Sequence, residues 1–126
     1  MRKASILLIE DEALIRMMLV EMIEELGHKV VAEAGTVDAG RSLAEIEEYD
    51  CAILDISLQG ANVRPVAEVI KGRGLSLFFL SGYGPAGLPA GFEGMPILAK
   101  PCTAEALKCT LDSILPSDDG RQESRT

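Results

Sequence analysis

The chain has 126 residues, with 20 Asp and Glu against 12 Lys and Arg, one His, three Cys and 48% apolar residues. That length suits one domain with its own core, and the apolar content excludes wholesale disorder. A net charge of −8 argues against nucleic acid or an anionic membrane as partner, and no apolar run nears the roughly 18 residues that span a bilayer. The apolar stretch near the start, Ile6 to Ile9, stops at Glu10-Asp11-Glu12 and is too short for a signal peptide. Cys51, Cys102 and Cys109 match no zinc spacing and fit reduced thiols. These features predict a cytoplasmic, acidic, single-domain protein.

Five short apolar runs alternate with segments of helical period. Ser5–Ile9 reads as the first strand. Leu14, Met18, Met22 and Leu26, flanked by Ile15, Leu19 and Ile23, then mark a helix that Gly27 stops. The Met17-Met18 and Met22 cluster reads as core packing, and His28, just past the stop, as a surface residue. Lys29–Glu33 is the second strand. Thr36 can cap a second helix with Val37, Leu43 and Ile46 on its apolar face. Cys51–Asp55 is the third strand, followed by a helix from near Pro65 that turns Val66, Val69 and Ile70 inward and ends at Gly72 and Gly74. Ser76–Leu80 and Pro96–Ala99 complete the strands. A last helix, capped by Thr103, buries Leu107, Leu111 and Ile114 before Pro116.

This alternation predicts an α/β fold with parallel strands and right-handed crossovers, in the doubly wound, flavodoxin-like order 2-1-3-4-5. One domain is expected over 1–116, with 117–126 as a flexible polar tail. Gly82–Pro96 (GYGPAGLPAGFEGMP) carries five glycines and three prolines where a fourth helix belongs, so that helix should be irregular, short or displaced.

In a parallel sheet the carboxyl ends of the strands open on one edge. Glu10, Asp11 and Glu12 follow the first strand, Asp55 ends the third, Ser81 follows the fourth and Lys100 follows the fifth. Crowded carboxylates repel, and a hard cation such as Mg²⁺ relieves that repulsion. A phosphoryl group could then lie between Mg²⁺ and Lys100, with Ser81 donating a hydrogen bond and Asp55 available to attack phosphorus. Each group also has a plain role: Asp11 as a helix cap, Asp55 as a solvated strand end, Ser81-Gly82 as a turn. The conjunction of four strand ends favours the chemical reading.

At these residues the chain resembles the receiver domain of two-component response regulators, with the CheY-like fold. The resemblance rests on Ile9-Glu10-Asp11-Glu12, Leu54-Asp55-Ile56 with Gly60, Ser81-Gly82 and Lys100-Pro101, in that order, and covers Ser5 to Leu115. It implies that Asp55 is the phosphoacceptor, with Asp11, Asp55 and the Ser57 backbone carbonyl holding Mg²⁺ and Glu10 acting through water. Ser81 would be the switch hydroxyl and Lys100 the phosphoryl-binding amine. The chain would assist its own phosphorylation and dephosphorylation without being a turnover enzyme.

Two positions depart from the family pattern. Ile97 stands where many receivers have a switch aromatic. Phe79-Leu80-Ser81-Gly82-Tyr83-Gly84 is similar to the Phe-Ala-Thr-Gly-x-Tyr type of single-domain receiver, although Cys102 replaces the Phe after Lys-Pro. That likeness implies a signalling role for Tyr83 and ordering of the Gly/Pro-rich segment on phosphorylation. The implied phosphodonor is a histidine kinase or histidine phosphotransfer protein. Output would pass through the face of the fourth helix, fifth strand and fifth helix, or the chain would act as a phosphate shuttle or sink. Three other readings compete: a degenerate receiver used as a scaffold, an aspartate-nucleophile phosphatase, and a flavin carrier. Against the phosphatase, the position two residues after Asp55 is Ser57 and not an acid. Against the flavin carrier, the acidic loop after the first strand would repel phosphate.

Overall fold

A computed structural model describes residues 3–115; the expected tail at 117–126 lies outside these. Five parallel strands form the sheet: β1 (Ser5–Ile9), β2 (Lys29–Ala34), β3 (Cys51–Asp55), β6 (Ser76–Ser81) and β7 (Ile97–Ala99). Their order is β2-β1-β3-β6-β7, the doubly wound order expected from the alternation. Between β3 and the next helix lies a hairpin absent from the sequence reading, β4 (Ser57–Leu58) paired antiparallel with β5 (Ala61–Asn62). Its turn places Gln59 and Gly60 at φ of 53° and 84°, the left-handed pair of a tight hairpin turn. Four helices pack on the sheet: α1 (Ala13–Glu25), α2 (Val37–Ile46), α3 (Arg64–Gly72) and α4 (Ala104–Ile114).

The pleat divides the core in two. Leu7, Ile9, Leu54 and Phe79 face α2 and α3, while Ile6, Leu8, Ile53 and Phe78 face the side of α1 and α4. All eight are fully buried, so the near-continuous apolar runs are those of strands covered on both faces. Thr36 and Thr103 cap α2 and α4, their hydroxyls accepting from the Ala39 and Ala106 amides.

No helix forms between β6 and β7. Residues 82–96 run through successive turns instead, and Phe92 takes the core space a helix would fill. Its ring meets Phe79 edge-on at 5.9 Å between centroids, with the Lys71 ammonium 5.2 Å from the ring centre. A buried ring of this kind contributes roughly 3–5 kcal/mol when measured by truncation to alanine. One aromatic anchor thus holds a segment whose glycines and prolines oppose a helix.

Three further expectations are corrected. His28 is buried, not at the surface, and Nδ1 accepts from the Ala4 amide at 3.0 Å. The cause is the turn that ends α1: the His28 amide bonds back to the Ile23 carbonyl across Gly27, at φ 96°, and tucks the ring beneath β1. Met17 and Met18 are exposed, as is Leu14, because α1 sets Leu19 and Ile23 on the sheet and its apolar stripe is wider than the sheet covers. Ile46, at the last turn of α2, projects into solvent for the same reason of limited cover.

Burial holds the His28 imidazole below its ordinary pKa of 6.5, outweighing the pull of Asp112. The neutral ring therefore supports stability that is complete above pH 6.5 and declines as pH falls. His28→Asn keeps an acceptor for the Ala4 amide but cannot gain charge. Melting temperatures between pH 7 and pH 5 should show the wild type losing ground to this variant; parallel curves would refute the assignment.

Candidate functional site

Four strand ends meet at one edge of the sheet, each pinned by its ladder. The Glu10 amide donates to Ala34, the Ile56 amide to Leu80 and the Lys100 amide to Ser81, all carbonyls of the adjoining strand. These bonds bring residues 10–12, 55–57, 81–83 and 100 around a cleft of about 350 Å³ lined by Asp11, Asp55, Ser57, Ser81, Tyr83 and Lys100 among others.

Lys100 organises the centre. Its Nζ lies 3.0 Å from Asp55 Oδ2 and 3.1 Å from Glu10 Oε1. Asp55 and Glu10 are buried, Glu10 completely. Burial would lower the Lys100 pKa, yet its bonds to Asp55 and Glu10 prevail and hold it above the ordinary lysine value. It stays charged. Glu10 shows the opposite outcome: burial, with the Asp55 charge adding to it, pushes its carboxyl up to about 7 despite the Glu12 amide and Lys100.

Asp11 sits at the mouth of the cleft and does not cap α1; Glu12 holds the N-cap position and no side chain caps the helix. Instead Asp11 Oδ2 accepts from the Gln59 amide at 2.8 Å. Burial raises its pKa, but that amide and its other hydrogen bonds bring it below the ordinary value. The hairpin thus reaches the acidic loop, a contact that sequence reasoning missed. Its one signal was the Gln59-Gly60 dipeptide between Leu58 and Ala61.

The remaining sequence candidates divide. Ser57 donates its amide to Asp55 Oδ1 at 3.3 Å, and Ser81, buried as the last residue of β6, accepts the Tyr83 amide on Oγ at 3.0 Å. Tyr83 is 88% exposed, at the rim of the cleft. Ile97 begins β7 opposite Phe79 and packs half-buried on the core. Asn62 was also missed: Nδ2 donates to the Gly87 carbonyl at 2.7 Å, while Oδ1 accepts from the Arg64 amide. Gly87 has φ of 83°, and a Cβ there would stand 3.3 Å from Ile56 Cγ2. The turn segment is therefore fastened beside the residue that follows Asp55.

Glu10, Asp11 and Asp55 can each bring a carboxylate oxygen within 4.8 Å of the others. Three acids against one lysine leave negative charge uncompensated, and the all-oxygen donor set fits a hard divalent cation.

The family profile described as "Response regulator receiver domain" matches residues 6–112. This chain belongs to that family. The transcriptional regulatory protein PdtaR of Mycobacterium tuberculosis is 45% identical over 53 residues, 42% of this chain and 26% of that relative. The aligned stretch thus spans about a quarter of PdtaR. The solution structure of SdrG from Sphingomonas melonis Fr1 is 33% identical, with TM-score 0.79 over 89% of this chain and 96% of that one. SdrG from Pseudomonas melonis Fr1 in its BeF3-activated conformation is 34% identical, with TM-score 0.75 over 88% and 95%. Among the described residues of this receiver, no helix is long and apolar enough to cross a membrane.

The raised Glu10 pKa fixes a pH dependence. Folded, the carboxyl keeps its proton up to about pH 7; at the ordinary value of 4.5 it would lose it far sooner. Its contribution to stability is therefore fullest below pH 4.5 and declines as pH rises to about 7. In metal-free buffer, Glu10→Gln should gain melting temperature relative to the wild type between pH 5 and pH 8. A difference that stays constant with pH would contradict the buried, proton-holding Glu10.

Proposed function

We propose that this receiver accepts a phosphoryl group on Asp55 from the phosphohistidine of a histidine kinase or phosphotransfer protein. The observation that carries the reading is the Lys100 ammonium, 3.0 Å from Asp55 in a cleft that also holds Asp11, Ser57 and Ser81. Asp55 lines the cleft, its oxygens accepting from Lys100 and, at 3.3 Å, from the Ser57 amide, and from there it can attack phosphorus. As the new O–P bond forms, the P–N bond breaks and the donor imidazole keeps the electron pair. Lys100 would shift from Asp55 Oδ2 onto a phosphoryl oxygen, and the Ser81 hydroxyl, whose oxygen now accepts from Tyr83, has its proton to donate to another. A Mg²⁺ held by Asp11, Asp55 and the Ser57 carbonyl, with Glu10 acting through water, would supply neutralisation of oxygen charge. The chain's own part is to orient Asp55 and keep Lys100 charged, which makes it a phosphoacceptor and not a turnover enzyme.

BeF3 activates SdrG, and that supports a phosphorylation-driven change in this relative of SdrG. With Ile97 in place of an aromatic, coupling would run through residues 82–96 and Tyr83, joined to the site by the Tyr83 amide and by the Asn62 bond to the Gly87 carbonyl. The surface formed by 82–96, β7 and α4 is then the output face toward a protein partner, in a cytoplasmic two-component pathway.

Incubation with Mg²⁺ and acetyl phosphate should add one phosphoryl group to the intact mass, and Asp55→Asn should abolish it. Lys100→Met should slow the gain by roughly a hundredfold, the scale of losing one donor to a developing oxyanion. An unchanged mass with both acetyl phosphate and a phosphorylated histidine kinase would reject the reading. Amide exchange in 82–96 should slow on adding BeF3⁻; identical exchange would remove this segment and Tyr83 from the output path.

A further inference from the structure

We propose that Arg16 is a positioning residue for the cation pocket, clamping the backbone of the acidic loop so that Asp11 is presented at fixed geometry. The inference rests on reading Glu10, Asp11 and Asp55 as a Mg²⁺ site. Arg16 lies one turn into α1, and its side chain reaches back over the start of its own helix. There Nη1 donates to the Glu10 carbonyl, while Nε pairs with Glu33 Oε1 of β2 at 3.0 Å. A cation in the first turns of a helix opposes the helix dipole, so the carbonyl, Glu33 and the acidic loop are what hold it.

Glu10 is consequently fixed on every side. Its amide donates to Ala34, its carbonyl accepts from Arg16, and its carboxylate takes the Glu12 amide and Lys100. Asp11 is the next residue, between the end of β1 and the start of α1, and the loop has no ladder partner beyond Glu10. The site also leaves room for the guanidinium at one position. A Cβ at Gly35 would stand 3.0 Å from Arg16 Nη1 and 3.5 Å from Asp11 Cα. Glycine at 35 thus admits the clamp between β2 and the loop.

Arg16 touches no reacting atom, and its effect is transmitted through the Glu10–Asp11 peptide. Groups that orient metal ligands typically change affinity 10–100-fold when removed. Position and charge act in opposite directions here. A nearby cation repels Mg²⁺, so a purely electrostatic Arg16 would weaken binding and its loss would strengthen it.

Calorimetric titration with MgCl₂, in the absence of any phosphodonor, separates these. Arg16→Met should weaken Mg²⁺ binding about tenfold, and Arg16→Lys, which keeps one donor for the carbonyl, should recover most of it. Gly35→Ala keeps the charge but presses on the guanidinium, forcing it to give by a few tenths of an ångström, and should also weaken binding, by less than Arg16→Met. It carries the test if the Met variant fails to fold, as judged by its melting curve. Equal or tighter binding by folded Arg16→Met or Gly35→Ala would overturn the positioning role. A wild type that binds no Mg²⁺ would overturn the metal reading and this inference with it. A wild type that binds Mg²⁺ but accepts no phosphoryl group would count against Asp55 as acceptor alone.

Discussion

The ammonium of Lys100, suspended between Glu10 and Asp55, is the contact on which the rest of the molecule turns. Buried carboxyls 45 residues apart in the chain share one corner there, their repulsion relieved by the cation between them and by the raised Glu10 pKa. That cation arrives at the end of β7, the last and shortest strand of the sheet. The sheet register, the two hydrophobic layers and the strand-end hydrogen bonds all serve to bring these charges to one edge. A buried ion cluster of this kind is poor as a source of stability, since desolvation offsets much of the attraction. Its presence in an otherwise apolar sheet marks function.

The parallel sheet, its order and the charged edge were legible because each is encoded locally. A continuous apolar run flanked by a turn defines a buried strand, and the residue after it must lie at the edge. Glu10, Asp11, Asp55, Ser81 and Lys100 could be brought together from order alone. What escaped depends on cover. The apolar positions of α1 encircle more of the helix than the sheet can bury, so the periodicity could not say that Leu19 and Ile23 face in while Met17 and Met18 face out. His28 was misplaced because the turn at Gly27 folds the chain back, and the direction after a turn is not a local property. The hairpin of β4 and β5 is too short to show alternation. Arg16 and Asn62 act through backbone atoms, which leave no pattern in side-chain identity.

The segment between β6 and β7 is where local and global preferences disagree. The fold leaves space for a helix, and the sequence refuses one. Phe92 resolves the conflict by filling the core with a single ring while the backbone around it takes turns that glycine and proline favour. An element held by Phe92, with Leu88 and Met95 half-buried beside it and a few side-chain bonds, opens at lower free energy than a packed helix. This segment meets the cleft at Ser81 and is tied to the hairpin by Asn62, so a surface that is cheap to rearrange lies next to the charged corner.

The contact between Glu10 and Lys100 spans 90 residues of sequence, nearly the whole receiver. During synthesis, Asp55 leaves the ribosome well before Lys100. In that interval Glu10 and Asp55 lack the ammonium that lies between them, and the cleft is incomplete. The charged corner is thereby tied to completion of the fold: a half-made chain, or one cleaved ahead of β7, carries Asp55 without the ammonium that faces it.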